Sequence, residues 1–108
     1  MKYKSKKTLI DGVAFASKKE AGRYLVLKDL QKRHKIKNLE LQPAFLLQES
    51  FVRNKKKYRP IYYVADFRYE EDGKTIVEDV KGFKTPEYRL KKKLLLYKYD
   101  DFEFKEIK

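Results

Sequence analysis

Apolar residues recur along this chain with two periods, and the switches between them mark the elements. After MKYKSKK, read as a basic arm over 1–7, Thr8 to Phe15 predicts a small hairpin or an extended entry, with Asp11-Gly12 as its turn. SKKEAGRYLVLKDLQKRHK predicts a helix from Ser17 to Lys35. Ser17 and Glu20 stand in capping-box spacing, and Tyr24 and Leu27 follow Glu20 at i+4 and i+7. His34 falls at the helix C-terminus, where the dipole favours it. NLELQPAFLLQESF reads as extended chain broken at Pro43 and then a strand, and RNKKKYRP reads as a basic loop. Ile61 to Tyr69 predicts a strand, Asp72-Gly73 a tight turn, and Thr75 to Val80 the returning strand. The period then changes. Thr85-Pro86 suits an N-cap and first helical position, with Leu90, Leu94 and Tyr97 at i, i+4 and i+7. DFEFKEI closes the chain as an alternating strand with Phe102 and Phe104 on one face. The order is helix, three strands, helix, strand. It predicts an α/β fold of the α+β kind, one mixed sheet covered by helices, preceded by the basic arm and short hairpin.

Acids interrupt the apolar alternation of the central hairpin, YVADFRYEEDGKTIVEDVKG. With a two-residue loop at Asp72-Gly73, Glu71 faces Lys74 and the register runs outward until Asp66 lies opposite Asp79. Tyr63, Ala65, Phe67, Tyr69, Ile76 and Val80 then share the apolar face. Like charges placed opposite each other repel, so a compensating cation is expected. Lys81, two residues beyond Asp79 and on its face, is one candidate. A divalent metal, which prefers carboxylate oxygens, is the other. Glu78 falls on the apolar face opposite Phe67, and its plain reading is a strand-edge acid reaching solvent or a lysine. A longer loop or a bulge would exchange it with Asp79; Asp79 is favoured because it shares a face with Lys81.

Composition narrows the chemistry further. The chain has 108 residues, enough for one domain, with 28 Lys and Arg against 16 Asp and Glu and a formal net charge of +12. That field attracts polyanions, nucleic acid first among them. Seven Phe and nine Tyr argue for a folded core despite 41% charged residues. No cysteine and a single histidine exclude disulfides, thiolate catalysis and cysteine or histidine-rich metal sites. Carboxylates and lysines must carry any catalysis. The absence of a bilayer-length apolar run or signal core leads to the expectation of a soluble, unexported protein.

An acid on one strand of a hairpin, then D-x-K on the next, between helices in this order, resembles the PD-(D/E)xK nuclease superfamily. IDGVAFASKKEAGRYLVLKDL, LELQP, ADFRY, VEDVKG and the lysine-rich helix after them are together similar to small phage and prophage proteins placed in that superfamily. Ala65 stands where the pattern has a proline. The resemblance covers nearly the whole chain after the arm and implies a restriction-endonuclease-like αβββαβ core. It also implies a metal-dependent DNA endonuclease in the cytoplasm of a bacterial host, acting on branched or phage DNA. By this resemblance Asp66, Asp79 and the Val80 carbonyl hold Mg²⁺ or Mn²⁺, and Glu20 is a further ligand or water-positioner. Lys81 orients the attacking water and stabilises transition-state charge. DNA is the implied partner and a second copy of the chain is expected. No membrane and no small-molecule cofactor are expected.

Each of these residues also has a plainer reading. Asp66 and Asp79 can form a surface charge ladder with Lys81 and arginines, and Glu20 can serve only the helix cap. Lys91, Lys92 and Lys93, beside Tyr88 and Arg89, can be a solvated helix face or phosphate contacts flanking the substrate path. Lys55, Lys56 and Lys57 in their loop have the same two readings. Gln42 is placed near the site by resemblance or else orients the turn at Pro43. The second function class is a non-catalytic basic nucleic-acid-binding module whose acids are structural or inactive.

Overall fold

The structure is a computed structural model that describes residues 8–108; the expected basic arm over 1–7 lies outside the described residues. Thr8–Ile10 (β1) and Val13–Phe15 (β2) form the expected hairpin, with Asp11 and Gly12 both at positive φ. Helix α1, Lys18–Lys32, starts where the Ser17 hydroxyl accepts the Glu20 N–H. It stops three residues short of Lys35, because His34 takes a φ of 60° and turns the chain away. Ile36, Leu27, Tyr24 and Ala21 then pack against the sheet.

The expected single sheet is divided. One four-stranded mixed sheet has the order β10-β9-β8-β3, made by Glu103–Ile107 (β10), Lys74–Val80 (β9), Phe67–Glu71 (β8) and Lys37–Leu41 (β3). Only β10 and β9 run parallel, joined across helix α2, Pro86–Lys98. Ala44–Gln48 (β4) pairs instead with Ile61–Val64 (β7), and Phe51–Arg53 (β5) with Lys56–Tyr58 (β6). The basic stretch expected as a loop is thus a second hairpin, turning on Asn54 and Lys55, both at positive φ as a two-residue hairpin loop requires.

The strand expected from Ile61 to Tyr69 breaks at Ala65-Asp66. There the Ala65 N–H donates to the Pro43 carbonyl, and the Gln42 N–H donates to the Asp66 carbonyl. This clamp sends Tyr63 and Ala65 beneath α2 with Phe45, Val77, Tyr88 and Leu95. Phe67, Tyr69 and Ile76 pack beneath α1 with Phe15, Tyr24 and Leu27. Their assignment to one face is therefore corrected. The central strand β9 is covered on both sides, which leaves no solvent face for its acids.

Helix α2 also packs differently from expectation. Its buried residues are Tyr88 and Leu95, whereas Leu90 and Tyr97 are 59% and 90% exposed and Leu94 is open too. Phe102 and Phe104 do pack on the α2 side of the core, as their alternation predicts. Among the described residues no helix is long and apolar enough to cross a membrane.

Candidate active site

The tight turn at Asp72-Gly73 sets the register as read, with Glu71 opposite Lys74 and Phe67 opposite Glu78. One step further, regular pairing ends and the two aspartates interlock. The Asp66 N–H donates to the Glu78 carbonyl and to Asp79 Oδ1, each at 3.1 Å, and the Val80 N–H donates to Asp66 Oδ2 at 2.7 Å. The Tyr63 hydroxyl donates to the other oxygen of Asp79. Asp79 is 1% exposed. Burial is the main cause that pushes its carboxyl up to about 7; the charge of Asp66 adds to this, while the Tyr63 hydrogen bond and Lys81 pull it down.

Glu20 reaches the same place from the first turn of α1. It is buried, and its carboxyl is raised by that burial first and by Asp66 next; the Ala16 backbone and Lys81 oppose the shift. Its backbone N–H makes the cap with Ser17, so its side chain is left to face Asp66. Lys81 follows Asp79 into a cleft of about 250 Å³ whose lining includes Tyr62, Tyr63, Val64, Tyr88 and Lys91. Its ammonium lies 4.8 Å from the Tyr88 ring centroid rather than on a carboxylate. Among the described residues Glu20, Asp66 and Asp79 have no ion-pair partner.

Glu78 presents the contrast. It is neither a strand-edge acid nor paired with a lysine: it is 0% exposed and held by Arg23 of α1, Nε to Oε1 at 2.8 Å and Nη2 to Oε2 at 2.7 Å, with the Tyr69 hydroxyl donating as well. A two-pronged guanidinium pair of this kind satisfies a buried carboxylate fully. Sequence reading missed Arg23 because its partner is 55 residues away. Its position three residues after Glu20, on the same helix face, was the available signal.

The basic residues divide into two groups. On α2, Lys91 pairs with Glu87 at 3.3 Å, and Lys92 and Lys84 both bond Glu106, at 2.9 and 3.0 Å. Tyr88 is buried and donates its hydroxyl to Glu106, while Lys93 and Arg89 are exposed. On the β5–β6 hairpin, Lys55, Lys56 and Lys57 are all exposed and pair with no acid among the described residues. Gln42, also exposed, meets the site through its backbone hold on Asp66.

The oxygen donors suit a hard divalent cation. Among the described residues no three acidic side chains converge into a ready-made metal cage. Mg²⁺ does not require one, since it usually keeps several waters and takes one or two carboxylates together with substrate phosphate. No curated protein and no solved structure matches the chain. A family model described as "Protein of unknown function (DUF1064)" matches residues 1–108. The chain belongs to the DUF1064 family.

Proposed function

We propose that the protein is a metal-dependent DNA endonuclease of the PD-(D/E)xK kind, with a restriction-endonuclease-like core. The observation that carries this reading is the unequal treatment of two adjacent buried acids. Glu78 has an arginine, whereas among the described residues Asp79 has no ion-pair partner and feels Lys81 as a nearby charge, although Asp79 lies against Asp66, which in turn faces Glu20. A carboxylate buried beside another carboxylate is costly unless positive charge is supplied. A divalent ion from solution supplies it.

Asp66, Asp79 and the Val80 carbonyl would hold Mg²⁺ or Mn²⁺, with Glu20 contributing through Asp66 or a water. When bound, such an ion polarises the scissile phosphate and lowers the pKa of a water. The Tyr63 hydroxyl and the Asp66 N–H fix the orientation of Asp79 before any ion arrives. Lys81, held on the Tyr88 ring in the lining of the cleft, forms no ion pair among the described residues and so is available to the negative charge that develops on the phosphate. A second copy of the chain belongs to the same proposal, since cutting both strands of a duplex calls for two centres.

The competing reading is a basic nucleic-acid-binding module with a dead site, and the lack of a three-acid cage among the described residues favours it. Incubating the protein with linear, nicked and four-way-junction DNA in Mg²⁺ or Mn²⁺ tests the choice. The nuclease cuts at least one of them and its Asp79→Asn variant cuts none. A binder cuts none and gains no thermal stability from Mn²⁺.

A further inference from the structure

We infer that the β5–β6 hairpin is an arm that enters the major groove of B-form duplex DNA, within about eight base pairs of the phosphate facing the acid cluster. The inference deepens the proposed function by naming the substrate class, and it rests on that reading for the place of the cut.

The hairpin is unlike any other part of the fold. Every residue from Phe51 to Tyr62 is exposed, and β5 and β6 pair only with each other. The radius of gyration is 16.0 Å, against about 13 Å for a compact chain of roughly 100 residues. A projecting ribbon accounts for such an excess. Arg53, Lys55, Lys56, Lys57 and Arg59 crowd onto it with no acid between them, and none has an ion-pair partner among the described residues. On α2, by contrast, Lys91 and Lys92 are committed to Glu87 and Glu106. Within the twelve residues from Phe51 to Tyr62 the arm thus gathers five cations unpaired among the described residues and no acid, a local concentration of positive charge.

Register and ring geometry select a groove over a single strand. Arg53 pairs with Lys56 across the ribbon, while Lys57, opposite Val52, projects from the other face, so cations stand on both faces. A ribbon lying between two phosphate backbones uses both; a ribbon lying on one strand uses one. Phe51 and Tyr58 stack on each other, centroids 4.7 Å apart and 9° from parallel, and Lys56 lies 5.3 Å from the Tyr58 centroid. The stack takes one face of each ring and Lys56 lies over Tyr58, which leaves fewer open ring faces for the unpaired bases by which single strands are usually held. The B-form major groove, about 12 Å wide, admits a two-stranded ribbon, whereas the A-form major groove of RNA is deep and narrow.

The arm is also tied to the site. Its strands continue into β4 and β7, and Tyr62, Tyr63 and Val64 of β7 line the cleft that holds Asp79 and Lys81. From Tyr63 to Lys55 the chain runs eight residues. At about 3.3 Å each that is a reach of up to roughly 26 Å, or seven to eight base pairs at about 3.4 Å.

Fluorescence anisotropy in EDTA tests the arm without any cutting. The probes are a DNA duplex of about 20 base pairs, its single strand, the matching RNA duplex, and the same DNA duplex with bulky glucosyl groups on cytosine C5, which fill the major groove. The expected result is a preference of roughly tenfold or more for the plain DNA duplex over each of the other three. The triple variant Arg53→Gln, Lys56→Gln, Lys57→Gln should lose that preference and flatten the salt slope by roughly 0.9 per lost contact. Its melting temperature should match wild type, since among the described residues the hairpin packs on no other element. Equal binding to the plain and groove-filled duplexes, tighter binding of the single strand or of RNA, or an unchanged salt slope in the variant would each overturn the arm. A protein that binds as expected in EDTA but never cuts with Mn²⁺ keeps the arm and loses the nuclease reading. One that cuts but ignores the filled groove does the reverse.

Discussion

Glu78 and Asp79 are neighbours in one strand, both buried, and turned to opposite faces of the sheet. Glu78 meets the guanidinium of Arg23 under α1, and Asp79 meets Tyr63 and the Asp66 N–H under α2, with no ion-pair partner among the described residues. Acids inside this hairpin therefore have two separate causes. One completes a buried ion pair, and the other is proposed to await a metal.

The structural acid should behave as a structural acid. Arg23→Ala leaves Glu78 buried and unpaired, and breaking such a pair costs about 3–5 kcal/mol. Chemical denaturation should show this loss, with Mn²⁺ unable to restore the difference from wild type. The double variant Arg23→Met, Glu78→Gln should recover much of it. If Arg23→Ala unfolds at the wild-type midpoint, the pair does not hold the sheet on α1.

The aspartates should show the opposite sign. Asp79→Asn keeps an oxygen for the Asp66 N–H or the Tyr63 hydroxyl while removing the buried charge. In metal-free buffer at pH 8 the variant should melt higher than wild type, by about 4–8 °C for each 1 kcal/mol of relief, and it should lose the stabilisation by Mn²⁺. Scanning calorimetry with and without the ion reads both effects.

Protonation gives a second handle on the same group. A carboxyl raised to about 7 in the folded protein favours its neutral form there, so its contribution to stability is complete below the ordinary aspartate range near 3.8 and is lost as pH rises toward 7. Glu106 is opposite in sign. Held down to about 2 by Tyr88, Lys92 and Lys84, it stabilises above its ordinary value of 4.5, and that contribution is lost as pH falls toward 2. Melting curves of metal-free protein should thus show stability declining from pH 4 to 7, a decline that is smaller in Asp79→Asn, where the raised carboxyl of Glu20 still contributes. The shift produced by Mn²⁺ should grow across this window, and a shift of equal size at pH 5 and pH 8 would exclude Asp79 as the ion's ligand.

Glu20 separates its own two roles. The cap bond uses its backbone N–H and the Ser17 hydroxyl, so Glu20→Gln leaves that bond in place. Activity should fall severalfold or more at an unchanged or slightly raised melting temperature. Undiminished cleavage would return Glu20 to the helix end alone.

What the sequence revealed follows from how local each signal was. Asp72-Gly73 fixes its own turn, and the turn fixes the register, so the opposition of Asp66 and Asp79 was readable from a dozen residues. The break at Ala65-Asp66 was not, because it depends on Gln42 and Pro43, more than twenty positions away. RNKKKYRP concealed a ribbon because, with both faces in water, it carries no apolar alternation. On α2 the lysines misled in the other direction. Leu90, Leu94 and Tyr97 form a clean helical stripe, yet the face that packs carries Tyr88 and Leu95 beside half-buried Lys91 and Lys92, whose charges Glu87 and Glu106 neutralise.

Lys81 gives the most direct separation of cutting from binding. It forms no ion pair among the described residues and sits over Tyr88 at the cleft, so its charge is available to the transition state rather than to the ground-state duplex. The decisive measurement is single-turnover cleavage of duplex DNA at saturating protein with Mn²⁺, comparing wild type, Asp79→Asn and Lys81→Ala. Wild type should cut, EDTA should stop it, Asp79→Asn should be inactive, and Lys81→Ala should bind nearly as well while cutting at least a hundredfold more slowly, roughly 2.7 kcal/mol of transition-state stabilisation. Wild type that does not cut any duplex with bound Mn²⁺, or an Asp79→Asn protein that cuts normally, would contradict the proposed metal-dependent nuclease.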